Sequence, residues 1–335
     1  MKKVNVQWLL SGNPNTIEQL RNSNLASIRM RAALSMDIDD ANLKVKPTNN
    51  LIINKDTNVL GVGKISLANE QDQSNKWPEL VKKYKNYGLK VFLDYTDNHL
   101  RESNKNRDLY NAYHEIIDKV DYVVTSSNYL ESVISKQFNV KTITIEDPLE
   151  VQLKEPKKNL QKIPTGLWFG HASNLNYLLR FLQVEFKPST KLKILVMSNL
   201  YPFPEDLIKN LENTISPKIE LSILPWSISN MVLAASISDF CIIPCGIGDD
   251  RKEGVSSNRL ITSLALGLPC FADTPPSYKE FVNFISPLST ESIESFFINP
   301  SINIEKTLLS QTIIVKRFSK EKVRDDWKNF LINII

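Results

Sequence analysis

Short apolar runs alternate with amphipathic stretches along this chain of 335 residues, and the alternation predicts strands separated by helices. Val4 to Leu10 reads as a first strand ending in the turn-forming cluster Ser11-Gly12-Asn13-Pro14. A helical stretch, LASIRMRAAL, then carries Ser27, Arg29 and Arg31. Val59 to Ile65, Leu89 to Tyr95, Tyr122 to Thr125 and Val140 to Ile145 follow as strands. Helices are predicted over Trp77 to Tyr87, Asn106 to Val120 and Ser127 to Gln137, the first closed by Gly88. The pattern restarts with strands at Gly166 to Gly170, Lys193 to Met197, Ile219 to Leu224, Asp239 to Ile243 and Cys270 to Ala272, and ends in helices at Ile302 to Val315 and Ser319 to Ile334. This spacing argues for βαβ units and parallel sheets. The lysine- and proline-rich KEPKKNLQKIP, residues 154–164, reads as a linker between domains 1–153 and 165–317, and residues 318–335 as a closing helix expected to pack back on the first domain. The fold class is α/β, two doubly wound sheets with the ligand site in the cleft between them.

The second half is organised around residues 223–280. Asp239 to Ile243 is a buried-type strand stopped by Pro244, followed by a polar loop from Cys245 to Val255. Ser256 and Ser257 precede a helical run, Asn258 to Leu266, closed by Gly267 with Pro269 beyond. At about 100° per residue, Leu260, Ile261, Leu264 and Ala265 share one face, and Arg259, Thr262 and Ser263 the other. The helix N-terminus favours an anion. Arg259 in the first turn opposes that dipole unless something negative is bound before it, and Lys252 and Arg251 strengthen the expectation. The plainer reading is an ordinary α/β unit with a solvated arginine.

Apolar content of 42% and charged content of 23% are those of a globular protein. A net charge of +4, spread along the chain without aromatic-interleaved basic clusters, does not suit nucleic acid, though a basic surface can rest peripherally on anionic lipid. Three cysteines, Cys241, Cys245 and Cys270, lie in or beside predicted strands and read as reduced thiols. No run reaches transmembrane length and the Met-Lys-Lys start lacks a signal-peptide core, so a cytoplasmic location is expected. Gly61-x-Gly63 lacks a third glycine and a following helix, so it is not a dinucleotide fingerprint.

Three stretches together resemble the GT-B glycosyltransferases, in particular the nucleotide-sugar-dependent family 4. VDYVVTSSNYLESVISKQFNVKTITIEDPLE is similar to the last unit of that family's acceptor domain, LWFGHASNLNYLLRFL to the opening of its donor domain, and ISDFCIIPCGIGDD with VSSNRLITSLALGLPCFADTPPSYKE to its donor-binding core. The resemblance implies two Rossmann-like domains facing across a cleft, and metal-independent transfer of a sugar from a nucleotide sugar to an acceptor hydroxyl of a polysaccharide, lipid-linked glycan or protein glycan, with retention of configuration and no cofactor. It places Gly170, His171, Asn174, Lys252, Ser256, Ser257, Asn258, Arg259 and Thr262 at the donor, and Gly12, Arg29 and Arg31 on the acceptor side. Two departures stand out. Glu253 lies one residue out of step with the family's first glutamate, and Thr262 occupies the place of the second. His171, Ser173 and Asn174 stand where an Arg/Lys pair for the diphosphate is usual.

The chemistry develops negative charge on the departing diphosphate, which cations and a helix N-terminus stabilise. Arg259, Lys252 and the backbone at Ser256-Ser257 are the candidates for that role. Asp97 and His99, just beyond a strand end, are candidates for a base or sugar-binding pair, and Glu253 completes the catalytic set. The bland alternatives are a capping aspartate and a surface histidine. Asp37-Ile38-Asp39 is the nearest metal-type motif and reads as solvated. Because of the two departures, a noncatalytic GT-B partner subunit binding a sugar nucleotide or glycan remains a competing class, as does a GT-B sugar-nucleotide epimerase.

Overall fold

A computed structural model describes residues 3–11, 16–23, 25–48, 52–65, 73–101, 107–246, 248–249 and 252–335. Two six-stranded sheets account for the strands. The first holds β1 (Val4–Leu9), β2 (Leu43–Thr48), β3 (Val59–Val62), β4 (Lys90–Tyr95), β5 (Tyr122–Thr125) and β6 (Lys141–Thr144), in the order β2-β1-β3-β4-β5-β6. The second holds β7 (Thr165–Gly170), β8 (Leu192–Ser198), β9 (Ile219–Pro225), β10 (Phe240–Ile243), β11 (Cys270–Ala272) and β12 (Ser286–Pro287), in the order β12-β11-β10-β7-β8-β9. Every pairing is parallel. In each sheet the order reverses once, between β1 and β3 and between β7 and β10. Open α/β sheets bind ligands outside the carboxyl ends of strands at such a switch point.

The alternating pattern located ten of these twelve strands, but neither β2, LKVKPT, nor the two-residue β12. Pro47 in β2 lacks a ladder donor, which the edge position of β2 tolerates. Glycines are set by packing at two central positions. Gly61 lies in register between Trp8 and Phe92, and a Cβ there would stand 2.6 Å from the Phe92 ring. Gly166 lies in the same way between Phe240 and Ile194.

The chain divides into two units. The first comprises 1–148, 249–256 and 318–335, and the second 149–248 and 257–317. The first contains the core on which helix Lys320–Asn333 closes: Trp8 and Phe92 meet edge to face at 5.0 Å, and Trp327 lies 5.0 Å from Trp8. The second is built around Trp168, Phe240, Phe271 and Phe296.

Two boundaries differ from the sequence reading. Residues 154–164 belong to the second unit, where Lys154 N–H donates to the Ala265 carbonyl and Gln161 and Thr165 N–H groups donate to Asp239. Residues 249–256 group with the first unit, although 165–317 was expected to form one domain. They are held there by Ser127 and Tyr129 at the start of the helix after β5 and by Arg101 and Asp147 in loops, which no local pattern reports.

Candidate functional site

In the second unit the switch point lies beyond β7 and β10. β7 ends at Gly170, and His171 to Asn174 follow as a single tight turn into helix Leu175–Arg180. His171 Nδ1 is 3.0 Å from Ser173 Oγ and accepts the Ser173 N–H, so its ring is tied to its own turn and stays exposed. Asn174 N–H donates to the His171 carbonyl. On the other side, β10 runs through Pro244 to Cys245, whose N–H donates to Asp273 at 2.7 Å. Helix Asn258–Ala265 then opens at Ser257 with no side chain capping its first turn and no acidic residue in that turn. All three cysteines are buried free thiols.

Arg259 stands at the point where these pieces converge. Its Nη2 lies 3.8 Å from Cys245 Sγ, and Nη1 would be 3.7 Å from a Cβ built on Gly170. Nη1 is shut off from solvent and carries no hydrogen bond among the described residues. Burial alone would lower its pKa, but the surrounding Tyr278 and Cys245 reverse the direction and the guanidinium stays charged. Leaving such a donor unmade costs about 1–3 kcal/mol, more for a charged group. An anionic ligand removes that cost.

Thr262 and Ser263 are both buried, the Ser263 hydroxyl donating to the Arg259 carbonyl. The Thr262 hydroxyl donates to Asn258 Oδ1 at 3.0 Å. Ser256 donates to Asp147 Oδ2 at 2.6 Å, and with Lys252 and Glu253 it belongs to the first unit, not to the unit that carries Ser257, Asn258 and Arg259.

The first unit has its own switch point, between β1 and β3. A small, partly open pocket lies there, lined by Leu10, Ser11, Leu25, Ser27, Ile28, Gly63, Lys64 and Asp94. Helix Ser27–Ala32 along its rim has the wide π winding, a distortion frequent at functional sites. Arg31 on that winding is fully buried. Its Nε donates to Asp94 Oδ1 at 2.7 Å, and its Nη1 to the Ile145 carbonyl at 2.6 Å and Asp147 Oδ1 at 3.1 Å. Arg29 donates to the Ser23 carbonyl at 2.5 Å. Gly12 and Arg251 lie outside the described residues.

Asp97 and His99 do come together. His99 Nε2 is 4.0 Å from Asp97 Oδ2, and the imidazole stacks on Tyr113 at 4.9 Å. Tyr95 fixes the loop by accepting the N–H groups of His99 and Leu100, while Tyr113 accepts that of Ile65. Lys64 Nζ donates to Asp97 Oδ2. Burial pushes the Asp97 carboxyl up, but Lys64 and His99 outweigh it and hold the group well below the usual carboxylate range. Such a carboxylate is a weak proton acceptor. Asp94 differs: burial raises its pKa, Arg31 offsets this only in part, and the result is about 6.

Glu253, expected beside the donor sugar, is held by Arg101 Nη2 at 2.5 Å and by the Tyr129 hydroxyl at 2.6 Å. Gly254 accepts from Ser127 Oγ through its carbonyl. Arg101, Tyr129, Asp147 and Lys64 are polar residues of these arrangements to which the sequence reading gave no role, and Asp94 belongs to the polar cluster it found at the end of the strand predicted over Leu89 to Tyr95 without being singled out there. Asp94 and Asp147 sit at strand ends and were within reach of a strand-end rule. Arg101 and Tyr129 carry no such signal.

Among the described residues there is no group of three His, Cys, Asp or Glu side chains able to hold a metal ion, and no helix long and apolar enough to cross a membrane.

No family model matches the sequence, and no curated protein matches it. Solved structures do. The chain is similar to HepE of Anabaena in complex with UDP and glucose, with a TM-score of 0.64 and 10% identity over 99% of this chain and 100% of that one. It is similar to the β-glucosyltransferase of phage T4, with a TM-score of 0.58 and 16% identity over 99% of both chains. A TarM variant of S. aureus bound to fondaparinux, alpha-GlcNAc-glycerol and UDP gives a TM-score of 0.59 and 12% identity over 82% of this chain and 55% of that chain. The chain therefore spans about half the length of TarM. Identities this low establish architecture alone. With two Rossmann-like parallel sheets and these neighbours, the chain has the GT-B fold.

Proposed function

We propose that this protein is a glycosyltransferase that moves a sugar from a UDP-sugar donor to an acceptor hydroxyl without a metal ion. The observation that carries the reading is the unpartnered, solvent-excluded Nη1 of Arg259, beside Gly170 and at the uncapped start of helix Asn258–Ala265. Both stand at the β7/β10 switch point, where the fold presents a diphosphate to backbone N–H groups. In two of the similar structures UDP is bound, which motivates UDP over other nucleotides. Arg259 and the helix dipole stabilise the charge that develops on the leaving diphosphate. Ser257 and Asn258 border this site, and the His171–Asn174 turn flanks it.

The acceptor hydroxyl enters the pocket at the β1/β3 switch point. Asp94 Oδ1 is occupied by Arg31, and no other partner of this carboxyl exists among the described residues, so Oδ2 accepts the hydroxyl proton. Lys64 keeps Asp97 ionised beside it, and Asp97 with His99 orients the acceptor rather than taking its proton. Retention of configuration and a polysaccharide, lipid-linked or protein-glycan acceptor rest on the family 4 resemblance alone. Product anomer analysis by NMR tests the first.

The deciding experiment is nucleotide binding by Arg259→Ala. UDP and UDP-glucose are expected to raise the Tm of the wild type, since a ligand of the native state stabilises it. The variant should lose that shift and about 10²–10³ in turnover. Undiminished UDP binding by the variant would place the donor elsewhere. A noncatalytic sugar-nucleotide-binding subunit is favoured by one observation: Glu253 is sequestered by Arg101 and Tyr129. UDP-sugar binding with no hydrolysis or transfer, across broad acceptors, would establish that alternative.

A further inference from the structure

Helix Ser301–Phe318 buries polar side chains beside the apolar Ile314 and Phe318. Its inward positions include Thr307 and Ser310, both 0% exposed, and Gln311. Each is satisfied within the second unit: Thr307 donates to the Asn303 carbonyl at 2.8 Å, Ser310 to the Thr307 carbonyl at 2.7 Å, and Gln311 Nε2 to the carbonyls of Lys154 and Leu264 at 2.8 Å. Several outward positions are apolar. Ile302 is 62% exposed and Leu309 56%, and Leu308, Ile313 and Val315 are exposed as well. A solvated helix shows the reverse arrangement. At about 100° per residue, Ile302, Leu309 and Ile313 form one stripe and Leu308 and Val315 a second, with Glu305, Thr312 and Lys316 between them. An exposed apolar face of this kind marks an interaction surface.

The polar strip identifies the partner. Glu305 and Lys316 lie about three turns apart on the same strip, and neither has an ion-pair partner among the described residues. A second copy of the helix, antiparallel about a two-fold axis, brings Glu305 opposite the partner's Lys316 and Lys316 opposite the partner's Glu305. The same pairing sets Leu309 beside the partner's Ile313 and Leu308 near the partner's Val315. This self-complementarity is what an isologous interface requires, whereas anionic lipid would meet Glu305 at the centre of its contact. We propose that the protein forms a two-fold dimer through antiparallel packing of helix Ser301–Phe318. The proposal is independent of the glycosyltransferase reading.

Sedimentation velocity of the full chain over a concentration series tests it. The wild type should dimerise and Leu309→Asp should be monomeric, with the two sharing the same Tm only at dilutions where the wild type is also monomeric, because Leu309 supports no core. Glu305→Lys and Lys316→Glu should each weaken dimerisation about tenfold through like-charge contacts, and the double reversal should restore it. A wild type that stays monomeric overturns the proposal, as does a dimer indifferent to Leu309→Asp or a double reversal no tighter than the single variants. Binding of a monomeric wild type to phosphatidylglycerol vesicles, lost in Leu309→Asp, would assign the face to lipid instead.

Discussion

Two aspartates three positions apart at the end of β4 carry opposite chemistry because their neighbours differ. Asp97 meets Lys64 and His99 and stays ionised; Asp94 is more deeply buried, meets one guanidinium nitrogen, and titrates near 6. If Asp94 takes the acceptor proton, the rate of sugar transfer should rise with pH through about 6. Asp94→Asn should lose that limb and about 10²–10⁴ in rate. The same shift has a consequence for stability. In the folded protein Asp94 holds its proton to a higher pH than its ordinary 3.8, so its contribution is fully present below that value and lost as pH rises through about 6. The Tm of the wild type relative to Asp94→Asn should therefore fall between pH 4 and 6. An unchanged difference over that interval would show that Asp94 is not perturbed. The strand-end rule found this cluster in the sequence, but it singled out Asp97. The partner that disqualifies Asp97 as a base lies 33 positions away, across the β3–β4 pairing.

At the scale of elements, the strand, loop and helix around β10 were legible almost to the residue, because serine, glycine and proline punctuate them. What was not legible is which face of helix Asn258–Ala265 is covered. On its polar side Thr262 and Ser263 are buried, and Gln311, from a distant helix, reaches the Leu264 carbonyl. Gly267 measures how tightly this neighbourhood is closed. Its φ is +77°, and a Cβ would lie 2.6 Å from the Lys154 carbonyl oxygen and 2.7 Å from that of Glu155. Gly88 has a similar φ of +84° with nothing within 4 Å. Alanine at Gly88 should cost only the left-handed backbone penalty, about 1–2 kcal/mol. Alanine at Gly267 should cost that penalty plus the displacement of rigid backbone, so denaturant unfolding should show a distinctly larger loss. Equal losses would mean that residues 154–155 do not press on this turn.

For the molecule as a whole, the sequence showed two doubly wound halves but not how each is completed. The first unit takes in residues 249–256 through an Arg101–Glu253 pair spanning 152 positions, and ends its core with residues from the far end of the chain. The closing helix could be read from its periodicity, and its apolar residues Val323, Trp327, Phe330 and Leu331 do pack on the first sheet. Trp327 does more than fill that core. Its ring lies 5.2 Å from the Arg31 guanidinium, the ion that holds Asp94 and Asp147. Trp327→Ala should therefore remove about 3–5 kcal/mol by the cavity alone, and should also loosen the buried ion triad. A double-mutant cycle with Asp94→Asn separates the two effects: a purely apolar role for Trp327 gives additive losses, whereas contact through Arg31 gives a coupling of about 0.5–3 kcal/mol. Trp327→Phe, which keeps an aromatic face over the guanidinium, should retain most of that coupling while losing part of the packing. A cycle that closes to zero would confine the C-terminal helix to a packing role and leave the acid–base behaviour of Asp94 to its own strand and to Arg31.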